Sequence, residues 1–137
     1  MFPKYMQANG FVYKILLYAL FLTNDIFLIT SESSNTDIHS IGKLRSSAEL
    51  AFSKGEVDQS LNLWEQVIQL EPNNDNNYYK RYRVYIRQQK LKEALSDLTT
   101  AIRLNPSNEN ALVQRGKLYM KLGKCNEAIK DYQLLHG

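Results

Sequence analysis

One cysteine, two histidines, one tryptophan, three prolines and six glycines are the whole stock of those residue types in this chain of 137 residues. With Cys125 alone, no intramolecular disulfide can close and no cysteine-cluster zinc site can be assembled. His39 and His136 stand far apart, so no metal constellation and no Ser-His-Asp or Cys-His set is expected. The glycines are scattered, which excludes a glycine-rich phosphate loop. An enzyme is therefore not expected, and no cofactor is implied. Nor is charge of one sign in large excess: 17 Lys and Arg against 14 Asp and Glu leave +3. A nucleic-acid binder usually carries more charge and segregates it. What remains, 44% hydrophobic and 23% charged residues, is an ordinary globular balance.

The first third of the chain has its own character. Lys4 and Lys14 precede the apolar run ILLYALFL at 15–22, which continues after TND as IFLIT and gives way to SESSNTD. A basic lead, a short apolar stretch and a polar, small-residue exit is the layout of a secretory signal peptide. The alternatives are an uncleaved membrane anchor and a buried core helix. A spanning helix wants about 20 mostly apolar residues, and Lys14, Asn24 and Asp25 interrupt every such window. Residues 1–33 are thus expected to be a signal peptide or N-terminal anchor, cleaved near Ser31–Ser34 if cleaved, with 34–40 as linker.

From Ile41 onward the sequence repeats. IQLEPNN and IRLNPSN place Pro72 and Pro106 34 residues apart. The same interval relates Trp64, Leu98 and Tyr132, then Leu61, Leu95 and Ile129, then Val57, Leu91 and Cys125, and then Ser60, Ala94 and Ala128. Agreement at independent offsets is hard to produce by chance. Within one period, Leu61, Trp64, Val67, Ile68 and Leu70 form a stripe on one helical face, and proline stops the helix after it. Gly55 and Gly123 supply the left-handed residue that often ends a first helix. Each unit is therefore helix, tight turn, helix, proline, with units at 41–74, 75–108 and 109–137. Cys125 shares its register with Val57 and Leu91 and reads as a small buried apolar residue.

A helix-turn-helix period of 34 residues resembles the tetratricopeptide repeat. Leu112, Gly116, Tyr119, Ala128 and Tyr132 of the third unit match that family's pattern. So do Tyr78, Tyr85, Ala94, Leu98, Ala101 and Pro106 of the second, and Leu44, Ala48, Gly55, Trp64 and Pro72 of the first. Tyr82 and Ala51 depart from it, a large ring and a small residue that could compensate between adjacent units. The resemblance implies an all-α right-handed superhelix of three units, the last incomplete. It also implies that the first helices of successive units line a concave groove.

That register sorts the segment NYYKRYRVYIRQQK at 77–90, whose four tyrosines and five cations look at first like a nucleic-acid patch. Tyr78, Tyr82 and Tyr85 fall on the packing face. Tyr79, Arg83 and Ile86 point into the implied groove with Phe52, Val113, Lys117 and Met120, and Arg45, Lys80 and Arg87 form its edge. Such a mixture of Met, aromatic and aliphatic contacts suits unfolded or extended polypeptide. Family members that clamp chaperone C-terminal carboxylates use Lys, Asn and Arg where this chain has Arg45, Glu49, Lys80, Asn110 and Gln114, and Glu49 would repel a carboxylate.

YYKR at 78–81, LSDLTTAIRL at 95–104 and ALVQRGKLYMKLGKCNEA at 111–128 are similar to the N-terminal repeats of endoplasmic-reticulum J-domain co-chaperones. This resemblance implies a lumenal protein that holds unfolded clients and reaches a lumenal heat-shock chaperone through a region missing here. A J domain with its His-Pro-Asp tripeptide is absent, so the chain alone is not expected to stimulate a chaperone ATPase. The alternatives are a membrane-tethered scaffold for one partner and an RNA-binding module using Tyr79, Lys80, Arg83 and Arg87. No nucleic acid is expected. Repeat arrays need a polar cap, and Leu134 and Leu135 suggest a fragment or self-association through the C-terminal unit.

Overall fold

The computed structural model describes residues 37–137, together with Lys14, Tyr18 and Ala19. The chain divides into two units, 1–40 and 41–137. Lys14, Tyr18 and Ala19 are helical and exposed. Otherwise the expected leader at 1–33 lies outside the described residues. Among those residues, no helix is long and apolar enough to cross a membrane.

Six helices make up 37–137, with no strand: α1 (37–54), α2 (Val57–Leu70), α3 (Asp75–Arg87), α4 (Leu91–Leu104), α5 (Glu109–Lys121) and α6 (Cys125–His136). Residues 37–40, expected as linker, are already helical. Nothing between Asp37 and Ile41 breaks a helix, and an acid in a first turn suits the helix dipole. The order α1–α2, α3–α4, α5–α6 gives three helical hairpins on the 34-residue register.

Each hairpin turn closes in the same way. The Gly55 N–H donates to the Phe52 carbonyl at 3.1 Å and the Glu56 N–H to the Ala51 carbonyl at 2.9 Å. The bonds recur from Gln89 and Lys90 to Ile86 and Tyr85, and from Gly123 and Lys124 to Met120 and Tyr119. This paired closure puts its pivot residue in left-handed backbone, with φ of 83° at Gly55, 59° at Gln89 and 73° at Gly123. The units are joined by a second kind of turn. Helices α2 and α4 end before Pro72 and Pro106, and the Asn74 and Asn108 side chains then cap α3 and α5, accepting from the Asn76 and Ala111 N–H groups at 3.1 and 3.0 Å. An asparagine at that position satisfies a backbone donor that the helix cannot.

Two apolar clusters run along the array. Ile41, Ala48, Phe52, Trp64, Val67 and Val84 form the first, and Ala94, Leu98, Ala101, Ala111 and Leu118 the second. Each is closed by a residue from the following unit, Val84 on α3 or Leu118 on α5, which are equivalent positions. Units therefore share their cores and do not stand alone.

Tyr82 packs against the second cluster, which contains Leu98 of its own unit, and Ala51 is buried. Facing positions of the two helices hold Ala48 with Trp64, Tyr82 with Leu98 and Gly116 with Tyr132. A large side chain on one helix meets a smaller one on the other in every case. At Gly116 the approach is so close that an added Cβ would lie 2.8 Å from the Tyr132 ring. Tyr78, Tyr79, Tyr82 and Tyr85 all pack half-buried against the second cluster, and the Tyr78 hydroxyl donates to the Pro72 carbonyl at 2.8 Å.

Cys125 departs from expectation. It is exposed at the start of α6, whereas Val57 and Leu91 pack on the two clusters. Those two rest on cores that the next unit's first helix completes, and no such helix follows α6 among the described residues.

Candidate functional site on the face of the first helices

Positions 34 residues apart on α1, α3 and α5 line up as rows running along the array. One row holds Glu49, Arg83 and Lys117, and the next Phe52, Ile86 and Met120. The expected groove residues do not share one environment.

Phe52 is not an open contact. It is 9% exposed, and two guanidinium groups lie over its ring, Arg83 at 4.7 Å and Arg87 at 3.9 Å from the centroid. Arg87 also donates through Nη1 to the Phe52 carbonyl at 2.6 Å. These contacts tie α3 to the end of α1, where an Arg ring contact and a charge-assisted bond act together. Arg45, expected at the groove edge, instead pairs with Glu71 at the turn between the first two units. Glu71 also accepts from Asn74 and from the fully buried Asn77, at 3.1 and 3.3 Å.

Lys80 and Arg83 share one acid. The Lys80 ammonium lies 3.0 Å from Glu49 Oε1, and Arg83 Nη1 lies 3.5 Å from Glu49 Oε2. The pairs are about one-third exposed, so solvent screens them, and they are worth little to stability. Their effect is on the field of the face. Lys117, the next cation in the row, is exposed and has no ion-pair partner among the described residues.

The apolar members remain available. Ile86 is 37% and Met120 51% exposed, and Tyr79 and Val113 are half-buried. Tyr79 is fixed by the Tyr82 ring, with centroids 5.0 Å apart and planes tilted by 51°. Burial, then the neighbouring Tyr79 hydroxyl, pushes the Tyr82 phenol far above its ordinary range, so it stays neutral. Rigid rings beside a flexible Met and an aliphatic Ile offer apolar contacts without one demanded shape. No group of acids, His and Cys that could hold a metal occurs among the described residues.

Behind this face lies a feature that reading the sequence missed. Arg81 grips Asp97 through Nε and Nη2 at 2.8 and 2.7 Å, and Arg115 grips Asp131 in the same way at 2.9 and 2.6 Å. Both carboxylates are buried. Burial raises the Asp97 carboxyl above its usual range, and the bond from Arg81 works against that shift. The Arg115 guanidinium is held above its ordinary value by its bond to Asp131, with burial opposing. The signal lay in the register: arginines at 81 and 115, and aspartates at 97 and 131, each pair 34 apart.

These pairs also decide what the tyrosine-rich segment can present. Arg81 is consumed by Asp97, Lys80 and Arg83 by Glu49, and Arg87 by Phe52. Part of the segment's charge still faces solvent, since Lys80 and Arg83 share one acid, and the exposed Arg87 and Lys90 have no acid partner among the described residues.

The comparisons agree with this geometry. The family model described as TPR repeat matches residues 83–123. The chain is similar to the second TPR of Spaghetti (RPAP3) bound to the HSP90 peptide SRMEEVD, at 28% identity, covering 69% of this chain and 87% of that one with a TM-score of 0.64. It is similar to the first TPR of the same protein, also bound to SRMEEVD, at 29% identity, covering 69% and 75%, TM-score 0.64. MamA shares the fold at 19% identity, covering 69% of this chain and 55% of MamA, TM-score 0.63. A search of curated proteins finds no match. Both the sequence match and the similar structures support the tetratricopeptide-repeat family, and the described chain has that family's all-α helical-repeat fold.

Proposed function

We propose that this chain is a protein-interaction module that holds extended or unfolded polypeptide along the face shared by α1, α3 and α5, acting as a co-chaperone of the secretory pathway. The observation that carries the reading is the available apolar strip of Tyr79, Ile86, Val113 and Met120 on that face. The two similar structures solved with a bound peptide support it. Apolar contacts of this kind accept many side chains, as a holder of unfolded clients requires. Phe52 and Arg45 contribute by fixing α1 against α3 and the turn, not by touching the ligand.

The test is suppression of aggregation of a chemically denatured substrate by the full chain. Tyr79→Ala with Ile86→Ala should weaken suppression severalfold while far-UV helicity persists. Undiminished suppression would remove the strip from the function. The compartment rests on the sequence layout at 1–33, and it predicts that native protein starts near Ser34 in N-terminal mass analysis. Recovery of intact Met1 in membranes would favour the tethered scaffold instead.

A further inference from the structure

We infer that Glu49 is a specificity-determining residue of this face: it serves as a built-in counter-ion from α1 that occupies the α3 cations Lys80 and Arg83 and leaves Lys117 on α5 to receive an acidic residue of the bound polypeptide. The inference rests on the peptide-binding reading above and adds the charge pattern of the ligand.

The row Glu49, Arg83, Lys117 occupies one equivalent position in three successive units, and only its first member is an acid. Glu49 spends one carboxylate oxygen on Lys80 and the other on Arg83. Arg83 is further engaged by the Phe52 ring, which it shares with Arg87. A ligand carboxylate arriving beside α1 and α3 would have to displace Glu49 from both cations and then lie next to the charge it displaced. Like charges so placed oppose binding even where each single pair is weak. One unit further on, nothing repeats the arrangement. The residue preceding Lys117 in its row is Arg83, a cation, and Gln114 stands where the second unit has Lys80. Lys117 is exposed, unpaired among the described residues, and flanked by Val113 and Met120.

The face therefore reads a peptide's charge by position. It takes an uncharged, apolar stretch along Tyr79 and Ile86 and an acidic residue at the Val113, Lys117 and Met120 end. Ligands with several clustered acids gain only one contact.

The test compares the full chain and its Glu49→Gln variant against two probes by fluorescence anisotropy: SRMEEVD, and its uncharged-acid analogue SRMQQVN with an amidated C-terminus. Glu49→Gln should raise the preference for SRMEEVD over the analogue by about fivefold at low salt, the scale of a partly exposed ion pair. The gain should shrink in 1 M salt, where the Debye length falls to about 3 Å. Lys117→Gln in the otherwise natural chain should lower the same preference. An unchanged preference in Glu49→Gln, with binding of the analogue intact, would overturn the role of Glu49 and leave the groove standing. Failure of both probes to bind either protein would overturn the groove and this inference together.

Discussion

In the first unit Ser47 and Leu63 stand where the second has Arg81 gripping Asp97 and the third Arg115 gripping Asp131. All three hairpins keep the same turn closure and register, so the position does not require an ion pair to fold. Leu63 packs against the first apolar cluster, and a small serine faces it across the hairpin register. The later units put buried charge at the same place. A buried pair that meets its desolvation cost through two bonds is a poor source of net stability, yet losing one partner strands the other. The comparison teaches that one backbone can be closed by apolar packing or by a satisfied pair, with very different tolerance to single changes.

The largest expected effect follows from that asymmetry. Asp97→Ala should cost about 3 kcal/mol, because it leaves the half-buried Arg81 without its acid. Converting the pair to the first unit's residues, Arg81→Ser with Asp97→Leu, should cost well under half as much. Urea unfolding with an unchanged m-value would measure both, and equal losses would break the comparison.

A second difference concerns close approach. Ala48 faces Trp64, while Gly116 faces Tyr132 with no room for a Cβ. Gly116→Ala should therefore cost about 2 kcal/mol despite the better helix propensity of alanine. Adding Tyr132→Leu, which reproduces the smaller partner seen at Leu98, should recover part of the loss. No recovery would mean that the ring is not the obstacle.

The smallest effect separates the second turn from its neighbours. Gln89 holds φ of 59° where the other two turns use glycine. Gln89→Gly should raise stability by about 0.5 kcal/mol, since only glycine adopts that conformation without strain. Gly55→Ala should lower it by about 1 kcal/mol. A thermal melt of each variant orders the three turns directly.

Much of this architecture was legible beforehand because it is local. The prolines at 72 and 106, the glycines at 55 and 123, and the apolar stripe of α2 mark helix ends and faces from a few residues each. The left-handed Gln89 was not legible, since no residue type announces it; only equivalence to Gly55 and Gly123 does. The burial of Phe52 was not legible either. Spacing put it on the first-helix face, yet it joins the first apolar cluster, and Arg83 and Arg87, more than 30 residues away, fold over its ring. The exposure of Cys125 was hidden for the converse reason, because its register matched residues whose cover lies in a following unit.

The sequence by itself determined the period, the turns between helices and most of the residues that turn inward, because apolar spacing and chain-breaking residues act over one or two turns. Only the tertiary structure decided how the charges are spent. Whether Lys80, Arg83 and Lys117 are available to a ligand depends on which acids neighbouring helices bring within about 3 to 4 Å, and electrostatic pairing between helices follows distance in space, not separation along the chain.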